Sequence, residues 1–77
     1  MGTVFSTKED LISYLINKVD SSRMNGNNCI FVDSITFKRM AKDRDAIIST
    51  FQERNENIEM RPCARGFYDI IITWKKE

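Results

Sequence analysis

The C-terminal third of the chain constrains the fold most, because large side chains occur there at every second position. In the segment Phe67–Trp74 these side chains are Tyr68, Ile70, Ile72 and Trp74. Strict alternation places them on one face of a strand, so that face is predicted to lie on the core. Ile58–Pro62 alternates in the same way, and Gly66 between the two segments permits a turn. The two segments are therefore predicted to be strands joined as a hairpin.

Near the other end, the sequence predicts a helix from Thr7 to Ser22. Ser6 and Glu9 have the spacing of a capping box, in which each side chain bonds the other residue's amide. The apolar residues that follow recur at helical spacings, and they are Leu11, Ile12, Leu15, Ile16 and Val19. Gly26 and its neighbouring asparagines favour a turn over further helix.

The middle of the chain begins with a short apolar run, Cys29–Val32, which is typical of a buried strand. Asp33 or Ser34 can cap a helix directly after it. Phe37 and Met40 would form the inner face of that helix.

The apolar pattern of this middle helix then falters, because its continuation places Arg44 inward. One interpretation is a single long helix whose Arg44 side chain reaches out to solvent. The other is two helices, Ile35–Lys42 and Ala46–Asn55, that meet at a turn over Asp43–Asp45. The sequence leaves both open, since no Gly or Pro marks a break.

These elements predict one small α+β domain spanning residues 1–77. We expect a three-stranded, mostly antiparallel sheet with the helices on one side. Helix, strand, split helix, strand, strand is also the order of a winged helix-turn-helix domain, which the chain resembles in topology and not in any residue signature. That resemblance implies binding of DNA.

Charge is almost balanced over the chain, with 12 Lys or Arg against 11 Asp or Glu, so no overall attraction to nucleic acid is expected. Positive charge is concentrated between Lys38 and Arg44, which would meet the phosphate backbone in a winged helix. The predicted nucleic-acid-binding residues are Lys38, Arg39, Lys42, Arg44, Thr50, Arg54, Arg61 and Arg65. Thr50 and Arg54 stand where the second helix would read bases, and Arg61 and Arg65 in the hairpin.

Catalysis is not predicted. The chain has no His, which removes the commonest general base and metal ligand. Its glycines form no phosphate-binding loop, and its two cysteines, Cys29 and Cys63, lack the ligands of a zinc site. We therefore expect no cofactor and no metal, and we interpret both cysteines as buried free thiols.

Two functions remain open. The first is a non-catalytic nucleic-acid-binding regulator, against which the nearby acids Asp45, Glu53, Glu56 and Glu59 weigh. The second is a small protein–protein interaction module or inhibitor, which includes a homodimer or a phage or viral accessory protein. Apolar groups that the predicted core leaves unused, such as Ile71 and Val4, favour this second function.

The expected location is intracellular and cytoplasmic, since the sequence has neither a secretory leader nor an apolar run long enough to span a membrane. Gly2 and Ser6 fit an N-terminal acylation pattern, but the pattern is short enough to arise by chance. No association with a membrane is expected.

Overall fold

The computed structural model describes residues 3–37, 39–63 and 66–75. Its elements in chain order are β1 (Thr3–Phe5), α1 (Lys8–Met24), β2 (Cys29–Phe37), α2 (Met40–Glu53), β3 (Glu56–Pro62) and β4 (Tyr68–Trp74). The strands form one sheet in the order β1-β2-β4-β3, in which β1 and β2 are parallel and the other pairs are antiparallel. The α+β class is confirmed. The expected three-stranded sheet is wrong, because β1 adds a fourth, parallel strand.

Both helices pack on one face of this sheet. Leu11, Leu15 and Val19 of α1 are buried, as are Met40, Ile47 and Phe51 of α2, and they share one core with Ile35, Phe37, Met60, Ile70, Ile72 and Trp74 of the strands. The opposite face carries the alternate strand residues and no helix among the described residues. We call it the open face.

The first helix is confirmed with its start shifted by one residue. Thr7, not Ser6, is the N-cap, and its hydroxyl accepts a hydrogen bond from the Asp10 amide at 3.2 Å. The predicted capping box between Ser6 and Glu9 is therefore wrong. The helix ends beyond Ser22, at Met24, and Gly26 follows with φ +81°, a conformation that glycine adopts without strain.

Strand β2 runs past the point where a helix was expected to begin. Ser34 has φ +55°, and the pairing with β4 shifts register between Val32 and Ile35. Its amide donates to Asp69 Oδ1 at 3.3 Å instead of to a strand carbonyl. Ser34 is thus part of a β-bulge and not a helix cap, and the strand resumes because Ile35 and Phe37 bury their side chains.

Helix α2 is continuous from Met40 to Glu53 and passes through Asp43–Asp45. The predicted turn at those residues is wrong, and so is the helix predicted to start at Ile35, which belongs to β2. Met40, Ile47 and Phe51 supply one buried face across the supposed break. Within the described residues, the helix-turn-helix of a winged helix is therefore absent.

The C-terminal hairpin is confirmed. Ile58 stands opposite Ile72 and Met60 opposite Ile70, and the Cys63 amide donates to the Phe67 carbonyl at 2.7 Å to close the pair. The predicted core face of β4 is also confirmed, with Ile70, Ile72 and Trp74 buried and Tyr68 packed beside them.

Candidate interaction surface

Lys38 and Arg65, two of the predicted nucleic-acid-binding residues, lie outside the described residues, as does Gly2. On α2, Lys42 and Arg44 are exposed, and neither forms an ion pair with any carboxylate the structure describes. Arg39, at the N-cap of α2, is also exposed, but its Nε lies 3.3 Å from Asp43 Oδ2.

The other three described candidates bind groups of the chain itself. Thr50 Oγ1 donates to the Ala46 carbonyl one turn earlier, at 2.9 Å. Arg61 lies 3.0 Å from Glu59 on the open face. Arg54 is tied into a cluster of charges at the end of α2. The structure thus does not bring the six described candidates together as one exposed basic surface.

The cluster around Arg54 is centred on Glu56, whose side chain is fully buried. Arg54 Nε donates to Glu56 Oε1 and Arg23 Nη2 donates to Glu56 Oε2, both at 2.8 Å. The hydrogen bond to Glu56 raises the pKa of Arg54, against the opposing effect of burial. Arg23 also stacks on Trp74, with its guanidinium carbon 5.1 Å from the ring centroid.

Sequence reasoning missed this cluster, because Glu56 was interpreted as one of the acids beside the predicted nucleic-acid-binding residues. Its partners come from the ends of α1 and α2, so no sequence spacing reveals them. Burying a carboxylate is costly unless it is paired and hydrogen-bonded. The cluster therefore joins both helix ends to β3, and its arginines are committed to that structural role.

A different feature appears in the first part of β2, where no described strand pairs with one side of the backbone. The Trp74 amide donates to the Asn28 carbonyl at 3.0 Å, and these residues are directly opposed in the β2–β4 register. Opposed residues of antiparallel strands alternate between bonded and non-bonded pairs. Even-numbered residues of Cys29–Val32 therefore direct their backbone groups toward β4. Cys29 and Phe31 direct theirs outward.

Strand β1 covers this outer side only farther along β2, where Thr3–Phe5 pairs with Ile35–Phe37. Among the described residues, no strand pairs with the outer backbone of Cys29–Val32, which we call the free edge. The bulge at Ser34 separates the free edge from the paired part of the strand.

A groove of about 490 Å³ lies between the free edge and α1. Its walls are formed by Tyr14, Lys18, Ser21, Ser22, Asn25, Asn27 and residues 29–33. Ser22 Oγ donates to the Cys29 carbonyl at 3.1 Å, which confirms that this carbonyl points toward α1. Lys18 Nζ lies 5.5 Å from the centroid of the Tyr14 ring. We call this space the α1 groove.

Phe31 projects from the free edge onto the open face, where 63% of its surface is exposed. Ile71 stands opposite it on β4, and Glu59 stands beyond Ile71 on β3. Asp33 and Asp69 add two more carboxylates on this face. The open face therefore combines an apolar centre with acidic surroundings, which repel a phosphate backbone.

Both cysteines are free, as predicted, but both are exposed, so the prediction that they are buried is wrong. Cys29 stands opposite Thr73 and Cys63 pairs with Phe67, at the two ends of β4. This separation is roughly 20 Å, too far for a disulfide within one molecule. The nearby carboxylate of Asp69 raises the pKa of the Cys63 thiol, because it accepts from the protonated thiol and repels the thiolate.

The described residues form neither a metal site nor a membrane-spanning helix. No group of His, Cys, Asp and Glu in the described part of the chain is arranged to hold a metal ion. None of the described helices has the length and apolar character needed to cross a bilayer. Comparison of the chain with family models, with curated proteins and with solved structures returned no match. Geometry alone must therefore carry any proposal about function.

Proposed function

We propose that the chain is a non-catalytic protein–protein interaction module that binds a partner protein at the free edge and the adjoining open face. The observation that carries this proposal is a strand edge that no described strand pairs with, together with an exposed phenylalanine beside it. Unpaired edges offer backbone donors and acceptors to another chain, and natural proteins usually block them. A large exposed aromatic residue is likewise typical of the centre of a protein interface.

Nucleic-acid binding is the second candidate. It is favoured by Lys42 and Arg44, which are exposed on α2 without a carboxylate partner among the described residues. Two cations release few counterions, so the predicted affinity is low and depends only weakly on salt. The continuous α2 also removes the topological reason for this function.

Affinity capture tests the proposal against this alternative. Immobilised wild-type protein is exposed to native lysate with and without nuclease treatment, beside Phe31→Lys and the matched control Met24→Lys. Met24 is also an exposed apolar residue, with 88% of its surface accessible, but it lies at the end of α1. We expect Met24→Lys to retain the proteins bound by wild type and Phe31→Lys to lose them.

Equal capture by wild type and Phe31→Lys would contradict the proposal. So would capture that disappears with nuclease, particularly if double-stranded DNA binds at low salt and the variant Lys42→Glu/Arg44→Glu does not bind it. That result would establish the second candidate instead.

A further inference from the structure

We infer that the free edge is a strand-addition site, which takes one extended segment of a partner protein into the α1 groove, in line with β1. The inference rests on the proposed function and deepens it. It specifies how the partner is held and which residues the bound segment should contain.

The backbone of the free edge is suited to pairing with an added strand. The Phe31 amide and carbonyl both face outward, as does the Cys29 amide, whereas the Cys29 carbonyl already accepts from Ser22. The chain itself shows that this side of β2 accepts a strand, because β1 pairs with Ile35–Phe37 just beyond the bulge. An incoming segment would lie beside the free edge, collinear with β1. We call this strand position beside the free edge the lane.

The groove has room for one strand and not for a second copy of the chain. Helix α1 packs against both β1 and β2, so it overhangs the lane beside the free edge. Two copies paired edge to edge would bring both α1 helices over the same pair of strands. Paired strands lie about 4.8 Å apart, whereas packed helices need about 8–10 Å. The occupant is therefore a single extended segment.

The surroundings of the lane define the chemistry of that segment. Side chains of a strand alternate between the two faces of a sheet. Those directed toward α1 meet Lys18, Ser21 and Ser22, which suit a carboxylate or a hydroxyl. Those directed to the open face lie beside Phe31, which suits an apolar or aromatic residue. The predicted segment therefore alternates acidic or hydroxyl residues with apolar ones.

A display library of short random peptides tests this inference. It is selected for binding to the wild-type protein alone, and the affinity of each enriched peptide is then measured for the wild type and for Cys29→Pro. Proline at position 29 removes the outward amide hydrogen and leaves the hydrogen bonds to β4 in place. Position 29 is the first residue of the strand, where proline is tolerated. Cys29→Ser is the matched control, because it loses the thiol and keeps the amide.

We expect enriched peptides to show the alternating pattern and to bind Cys29→Pro about fivefold more weakly than Cys29→Ser, the effect of one lost hydrogen bond. Amide exchange measured by NMR needs no variant. A bound peptide should slow exchange at Cys29 and Phe31 and leave Ile30, already bonded to β4, unchanged.

Peptides that bind both position-29 variants equally, or that protect no amide of the free edge, would overturn the inference. So would a selection that enriches nothing. The proposed function has its own readout: if Phe31→Lys loses the captured proteins while Cys29→Pro keeps them, the module binds through its open face alone. Circular dichroism of each variant confirms that it is folded.

Discussion

The outward backbone groups are protected at the β3 edge of the sheet and accessible at the free edge of β2. At β3 the pair between Cys63 and Phe67 is hydrogen-bonded, so alternation directs the backbone of Glu56, Ile58, Met60 and Pro62 outward. Pro62 has no amide hydrogen to offer, and the Glu56 cluster closes the other end of the strand. These features are typical protections of an edge strand.

The free edge of β2 has neither a proline nor a charge cluster, although α1 lies over it and a bulge follows it. Cys29–Val32 contains no proline and no charged residue, and Phe31 is exposed at its centre. Ser22 covers one carbonyl, and the groove leaves the remaining outward groups accessible. Because the β3 edge is blocked and the free edge is accessible, pairing with a strand of another chain is restricted to the free edge. The comparison therefore locates the interaction at β2 and assigns β3 a structural role.

The largest effect is expected at the protected edge, from Glu56→Ala. This change removes the charge-assisted hydrogen bonds of the partly exposed Arg23 and Arg54, which typically costs about 1.5–3 kcal/mol of folding free energy. Urea denaturation followed by circular dichroism measures the loss.

Glu59→Ala is the matched control for that measurement. It removes an exposed ion pair with Arg61 in the same strand, for which about 0–1 kcal/mol is expected. If the two variants lose equal stability, the Glu56 cluster is not what secures the β3 end of the sheet.

A smaller effect is expected where the free edge ends, at the bulge. A β-branched residue is strained at the φ of +55° found at Ser34, so Ser34→Val should lose about 1–3 kcal/mol. Ser34→Gly, which has no such strain, should be neutral or slightly stabilising. Urea denaturation again measures stability, and amide exchange in β1 reports whether the parallel pairing beyond the bulge loosens.

Asn55 provides a control for backbone strain away from this edge. It has φ +61° between α2 and β3, so Asn55→Val should lose similar stability without selectively loosening β1. Equal loosening of β1 by both variants would mean that the bulge does not separate the free edge from the paired part of β2.

The sequence predicted an element correctly where the periodicity of its apolar residues lies within that element alone. Alternation from Tyr68 to Trp74 identified the core face of β4, and helical spacing from Leu11 to Val19 identified α1. Strand β1, at three residues, is too short to show a period. Asp33 and Ser34 have the composition of a helix cap, and only the burial of Ile35 reveals a bulge instead.

The candidate surface could not be predicted in the same way. Whether a strand edge is free depends on which strands lie beside it, and the neighbours of β2 come from both ends of the chain. The basic residues were visible in the sequence, but their carboxylate partners were not. Arg54, predicted to read bases, is bound to Glu56 and to Asp20 across the fold. Charge counted along a sequence therefore overestimates the charge available to a ligand.

The smallest expected effect comes from unblocking the β3 edge with Pro62→Thr. The new residue restores an outward amide at an exposed position, and one more hydrogen bond is worth about 1 kcal/mol, or roughly fivefold in an association constant. Sedimentation velocity should therefore detect more self-association than in the wild type. Asn57→Thr is the control, because its amide faces β4 and the change adds no outward donor. If neither variant associates, proline is not what keeps β3 unpaired, and the charged side chains of Glu59 and Arg61 must account for the difference between the two edges.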